Sequence, residues 1–218
     1  MSSTRANDIT GVILVGGKSR RMGKDKAFLD VSGKPLFELV LEVFRQSFER
    51  IVLVGDREER FADYGLPVVP DIYPGSALGG LYTGLRYAAT EYVFVSSCDL
   101  IFPDRVLLRY LCAVKEGFDA VVPAPAHGFE PLFALYAKSC LEPIKGLLEK
   151  GNFRVFDFYP HVLVREVSGE ELTLYDKEGR SFMNVNTPEE FALARKVWCA
   201  CQSRWSLSRQ NPAPARQL

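Results

Sequence analysis

The chain has 218 residues, 47% of them apolar, with 27 acidic and 27 basic side chains and a formal charge of zero. That length fits one larger α/β domain with a sizeable core. The charge balance leaves no global field to draw nucleic acid or an anionic membrane surface, and no apolar run approaches the roughly 20 residues of a membrane helix.

Residues Thr10 to Val15 read as the first strand, and Gly16-Gly17 closes it. Lys18, Arg20, Arg21, Lys24 and Lys26 follow at once. Paired glycines let the backbone turn sharply and approach a ligand closely. Successive N–H groups with cations beside them make a phosphate cradle. A Walker A loop is excluded, because five residues separate Gly17 from Gly23 and Asp25 follows Lys24 in place of a hydroxyl. The dinucleotide fingerprint fails on glycine spacing. The excess of cations suits a triphosphate.

Pro35 to Phe48 carries apolar residues at helical spacing, with Pro35 in the first turn. Arg50 to Val54 reads as a strand, Arg57 to Tyr64 as a short helix and Pro67 to Val69 as a short strand leading into Asp71. Leu78 to Ala89 reads as helix, and Tyr92 to Ser97 as a buried central strand. Pro103 to Lys115 follows as helix and Asp119 to Pro123 as strand. This alternation predicts an α/β fold with a doubly wound, mostly parallel sheet flanked by helices. Ligands of such sheets bind beyond the carboxyl ends of the strands. Gly16, Asp71 and Cys98-Asp99 all fall at those ends.

Beyond Pro123 the expected order is strand Phe129 to Tyr136, helix Leu141 to Lys150, short helix Asn152 to Phe158, and strands His161 to Val167 and Leu172 to Tyr175. Thr187 should cap a closing helix to Cys199, with Pro188 at its first position and Glu189 and Glu190 in its first turn. One domain over residues 9–200 is expected, with flexible tails at 1–8 and 202–218. The polar start carries no signal peptide pattern. The five scattered cysteines (Cys98, Cys112, Cys140, Cys199 and Cys201) read as thiols of a reducing compartment. A cytoplasmic location is therefore expected. Two histidines, His127 and His161, are too few for a histidine-rich metal centre.

The run Leu14-Val-Gly-Gly-x-Ser-x-Arg-Met-Gly-x-Asp-Lys26 resembles the signature loop of sugar-nucleotide-type nucleotidyltransferases, within them the molybdenum cofactor guanylyltransferase family. Val15 stands where that family usually has alanine. The resemblance continues through Gly33-Lys-Pro35, Asp71, Gly79-Gly80, Cys98-Asp99, Glu130-Pro131-Leu132 and Asn184-Val-Asn-Thr-Pro188, over about residues 10 to 197.

The resemblance implies Mg²⁺-dependent transfer of GMP from GTP to the terminal phosphate of molybdenum-bearing molybdopterin, with pyrophosphate released. It assigns Leu14, Val15, Gly16, Gly17, Lys26, Asp71, Gly79 and Asp99 to the nucleotide, and Asp99 to Mg²⁺. Arg21 and Lys26 are expected on phosphate, with Asp99 as the third catalytic residue. Asn184 and Asn186 are expected at the pterin substrate, and Arg154 at its phosphate. The residues alone allow blander readings: Asp71 as an Asx turn, Asn186 as a helix cap, Asp104 as a helix-start charge. The resemblance also implies transient contact with molybdenum-cofactor proteins, without nucleic acid or membrane. A cytidylyl- or sugar-phosphate nucleotidyltransferase of the same fold, or a non-catalytic nucleotide-binding adaptor, stays open.

Overall fold

The computed structural model describes residues 5–16 and 25–210. Gly17 and Arg21, and the tail residues 1–4 and 211–218, lie outside the described residues. A seven-stranded sheet organises the chain. It is built from β1 (Ala6–Leu14), β4 (Phe48–Val54), β5 (Val68–Val69), β6 (Tyr92–Ser97), β7 (Ala120–Ala124), β8 (Phe133–Ala137) and β9 (Val164–Ser168). The order is β5-β4-β1-β6-β8-β7-β9. Pairs β5/β4, β4/β1, β1/β6 and β7/β9 are parallel, whereas β8 runs against both its neighbours. The fold is thus the expected α/β sheet, mostly parallel, with one reversed strand.

Side chains alternate across this sheet, as period-two geometry requires. Ile9, Ile13, Phe94, Val121 and Phe133 pack on one face with α1 (Leu36–Ser47) and α3 (Arg105–Ala113). Val12, Leu14, Val95, Val122 and Tyr136 pack on the other with α2 (Ala77–Tyr87) and α4 (Leu141–Glu149). A third cluster joins Leu29, Val31, Leu36, Ile101 and Val185 to Ala194 of α6 (Pro188–Gln210). No described helix is long and apolar enough to cross a membrane.

Helix starts follow their caps. Ser76 Oγ accepts from Gly79 N–H at 3.0 Å to open α2, and Asp104 Oδ1 accepts from Val106 and Leu107 N–H at 2.6 and 2.9 Å to open α3. Asp104 is therefore a helix-start carboxylate. Thr187 Oγ1 accepts from Glu190 N–H at 3.1 Å, and Glu190 accepts from Thr187 N–H at 3.2 Å. This reciprocal box is what Thr-Pro-Glu-Glu predicts.

Several boundaries differ from the sequence reading. β1 begins at Ala6, inside the expected tail. Pro35 ends a two-stranded hairpin, β2 (Asp30–Val31) and β3 (Lys34–Pro35), and α1 starts one residue later. The helix expected over Arg57 to Tyr64 is two 3-10 turns, Glu58–Arg60 and Ala62–Tyr64. Leu172 to Tyr175 is no strand. Ser168 Oγ accepts from Glu171 N–H at 3.3 Å and winds Gly169–Leu172 into the short helix α5. The closing helix α6 runs to Gln210, into the stretch expected to be a tail.

Candidate active site

The carboxyl ends of β1, β4 and β6, with the start of α2, enclose a cleft of about 270 Å³. Leu14, Val15, Gly16, Lys26, Asp71 and Asp99 all line it. The topological rule that placed these motifs at one sheet edge thus brings six of the residues named from sequence to one wall. Asp25, Gly80 and Leu132, members of the quoted motifs without an assigned role, line it as well, and so do Asp56, Ser76 and Ser97, which were missed. Asp56 had a readable signal: it follows the end of β4 as Asp99 follows the end of β6.

Lys26 is the junction of the site. It opens the 3-10 turn Lys26–Phe28, whose N-cap is Asp25. Its Nζ lies 3.4 Å from Asp99 Oδ2 and donates to Asn186 Oδ1 at 2.8 Å. Three segments far apart in sequence therefore meet at one ammonium. Both charged side chains are mostly shielded, with 19% exposure for Lys26 and 17% for Asp99. Limited water strengthens the field between them and anything bound beside them. Asn186 uses its side chain on Lys26, while Thr187 supplies the helix cap.

Asn184 pairs with Leu100 in an isolated antiparallel bridge, and Val185 N–H donates to Asp99 O at 3.2 Å. Asn184 Oδ1 and Ser97 Oγ are buried atoms without a hydrogen-bond partner among the described residues. Unmatched buried oxygens of this kind cost about 1–3 kcal/mol and mark where a ligand or water completes the bonding.

Asp71 is both Asx turn and cleft wall. Its Oδ1 accepts from Tyr73 N–H and Thr83 Oγ1, each at 3.0 Å. Burial raises its carboxyl above the ordinary range against these hydrogen bonds, with a further push from Asp56. Burial also keeps the Cys98 thiol protonated, with Asp99 and Asp25 adding to the shift.

Two expectations about the backbone change. The N–H groups of Val15 and Gly16 both donate to Val54 O, at 2.9 and 3.1 Å. They are consumed by the sheet edge, and the rest of the expected cradle, residues 17–24, lies outside the described residues. Gly79 lies inside the first turn of α2, and a Cβ there would stand 2.0 Å from Tyr73 O. Gly79 is a packing glycine, and Gly80 is the one facing the cleft.

Arg154 is exposed and precedes the 3-10 turn Val155–His161, which packs beside α4; it is not part of the cleft wall. The Glu130-Pro131-Leu132 segment does reach the cleft through Leu132. Tyr136 OH, fully buried, donates to Pro131 O at 2.9 Å and sits 3.1 Å from Tyr159 OH. His127 Nε2 pairs with Glu130 at 2.6 Å in the exposed part of the same loop.

The described residues gather no group of three or more His, Cys, Asp or Glu around a common metal position. Mg²⁺ does not need one. It keeps several waters and is commonly held by one or two carboxylates plus substrate phosphates. Asp99, shielded at a cleft wall with amide oxygens nearby, fits that donor chemistry.

Comparison with known proteins agrees with this geometry. The MobA-like NTP transferase domain model matches residues 11–162. A probable molybdenum cofactor guanylyltransferase of Pelotomaculum thermopropionicum is 40% identical over 187 residues, 85% of this chain and 91% of that protein. The molybdenum cofactor guanylyltransferase of Desulfosudis oleivorans is 32% identical, covering 85% of this chain and 94% of its own. The crystal structure of molybdopterin-guanine dinucleotide biosynthesis protein A from Archaeoglobus fulgidus superposes with a TM-score of 0.78 at 28% identity, over 88% of this chain and 99% of that one. Fold, cleft and sequence similarity together show that the chain belongs to the MobA-like NTP transferase family.

Proposed function

We propose that the protein is a nucleotidyltransferase that transfers GMP from GTP to the terminal phosphate of molybdenum-bearing molybdopterin, releasing pyrophosphate. The observation that carries this reading is the Lys26 junction. One ammonium touches the carboxylate proposed for metal and an amide proposed for the second substrate. The names of the similar proteins support the substrate pair.

Lys26 is proposed to hold nucleotide phosphate and to stabilise charge growing on the α-phosphoryl and pyrophosphate oxygens. Prearranged charge of this kind is usually the largest catalytic contribution. Asp99 is the proposed Mg²⁺ ligand. Mg²⁺ would supply charge neutralisation and a template for the phosphates. Leu14, Val15, Gly16 and Asp71 are proposed for base and ribose. Asn184 and Asn186 are proposed for the pterin substrate. The attacking phosphate oxygen is already ionised near neutral pH, so the chain needs only to align the two substrates and exclude water. Arg21, outside the described residues, is proposed on phosphate, and Gly17, also outside them, on the nucleotide.

The test is pyrophosphate release from GTP, CTP, ATP and UTP with Mg²⁺ and molybdenum-loaded molybdopterin. Release with GTP well above the other nucleotides is expected. Preference for CTP, or no release with any nucleotide, overturns the reading.

A further inference from the structure

The cleft wall holds four aspartates, Asp25, Asp56, Asp71 and Asp99, around a site proposed for a polyanion. Lys26 answers Asp99. Asp25 is answered from elsewhere. Its Oδ2 accepts from Arg57 Nη1 at 3.0 Å and from Arg60 Nη1 at 2.5 Å. Its Oδ1 accepts from Ala27 N–H at 3.2 Å and so caps the turn that carries Lys26. The Arg60 guanidinium also lies 4.4 Å over the Phe28 ring, on the same turn. Phe28 packs at 5.1 Å on Phe61, which is fully buried and follows Arg60 directly.

These contacts form a closed circuit. The 3-10 turn after β4 grips the turn after the phosphate loop twice, through Asp25 and through Phe28. A carboxylate gripped on one oxygen by two guanidinium groups has little freedom left on the other, so the cap on Ala27 stays in place. Lys26 sits between the two grips.

We infer that Arg57 and Arg60 are positioning residues for nucleotidyl transfer: by clamping and neutralising Asp25 they fix the turn that aims Lys26 at Asp99 and at the substrate phosphates. The inference rests on the proposed transferase reading for its catalytic consequence, but the clamp itself is a property of the turn. Arg60, less exposed and stacked on Phe28, is the stronger arm, and Arg57 the outer one.

The test combines kinetics with amide exchange on the full chain. In Arg57→Gln/Arg60→Gln, hydrogen exchange over residues 25–29 should speed up while the sheet strands keep their protection. Turnover with GTP should fall by up to about a hundredfold, the cost that a misplacement of about 1 Å can carry, and the fall in kcat should exceed any change in the KM for molybdopterin. Arg60→Lys should recover most of the rate. Asp25→Asn should be as slow as the triple variant Asp25→Asn/Arg57→Gln/Arg60→Gln, because all three changes break one circuit. Unchanged exchange at 25–29 overturns the inference. So does a triple variant slower by the product of the separate losses. If the wild type transfers no GMP at all, the functional reading fails, and the exchange arm still decides the clamp.

Discussion

Gly79 and Gly80 are adjacent in sequence and have opposite structural meanings, which alanine substitution can separate. In Gly79→Ala the new Cβ would stand 2.0 Å from Tyr73 O and 2.9 Å from its carbonyl carbon. The obstacle is main chain, so no rotamer change relieves it. Tyr73 is also held in place: its N–H donates to Asp71, and its ring meets Tyr82 edge-on at 5.4 Å. Overpacking of this kind costs about 1–3 kcal/mol, and a backbone obstacle argues for the upper end. The better helix propensity of alanine returns about 1 kcal/mol. The net loss is about 2 kcal/mol, or a Tm lower by about 4–8 °C in a chain of this size. In Gly80→Ala the new Cβ would sit 3.1 and 3.2 Å from the terminal methyls of Leu14, which can move. The helix gain offsets that contact, so Tm should stay within about 2 °C. Leu14 and the added methyl would both press on the cleft, and GTP affinity should weaken by about tenfold or more, the cost of one misplaced methylene in a pocket. Thermal unfolding with GTP titration reads both. Gly79→Ala as stable as wild type, or Gly80→Ala the less stable of the two, would refute the assignment of Gly79 to packing and Gly80 to the cleft.

Asp99→Ala should abolish GMP transfer while circular dichroism and Tm stay near wild type; ordinary transfer at ordinary Mg²⁺ would remove Asp99 from the metal role. Tyr136→Phe deletes the donor to Pro131 O in the core, a loss of about 1–2 kcal/mol and a Tm drop of about 3–6 °C; an unchanged Tm would show that this hydroxyl does not hold the loop. Asp71 gives a pH signature. Its folded carboxyl lies above the unfolded value of 3.8, so between those values the folded chain holds a proton the unfolded chain has released. Stability from this group therefore falls as pH rises through that window and stays lower above it. Asp71→Asn keeps an acceptor oxygen for Tyr73 and Thr83 and lacks the titration. Its Tm advantage over wild type should grow across the window and then level off; a pH-independent difference would refute the origin in burial.

What was legible in the sequence follows from how far each signal reaches. The buried strands Thr10 to Val15 and Tyr92 to Ser97, and the amphipathic helices between them, declare themselves by period and composition, and the parallel order then carries Gly16, Asp71 and Asp99 to one edge. Thr187 and Glu190 announced their own cap. The failures are of two kinds. Leu172 and Leu174 alternate like a strand, yet the local Ser168 cap wins, and Leu174 is left exposed. The hairpin at Asp30 to Pro35 has strands of two residues, too short for any period to show, and is set by Ser32 and Gly33 with positive φ of 56° and 89°. At the site, residues tied to a strand end were readable, whereas contacts made in three dimensions were not. Nothing in one sequence says that Lys26 reaches Asn186, or that the N–H groups of Val15 and Gly16 are spent on Val54.

The reversal of β8 has an architectural consequence. In a wholly parallel sheet each loop at the reacting edge must lead into a helix that returns across the sheet. Here β7 ends at that edge and β8 begins there, with Phe133 opposite Ser96, so residues 125–132 leave and re-enter the sheet on the same side. That stretch is tied to the frame by Glu130 N–H to Pro123 O, by Ser97 N–H to Leu132 O and by Tyr136 OH to Pro131 O, with the Phe129 ring edge-on to Tyr159. Its outer part, residues 125–128, can lengthen or shorten without disturbing a crossover helix, whereas Leu132 is fixed at the cleft. A fold with one strand turned around thereby gains a loop at the cleft edge whose length is free of the helix-crossover constraint.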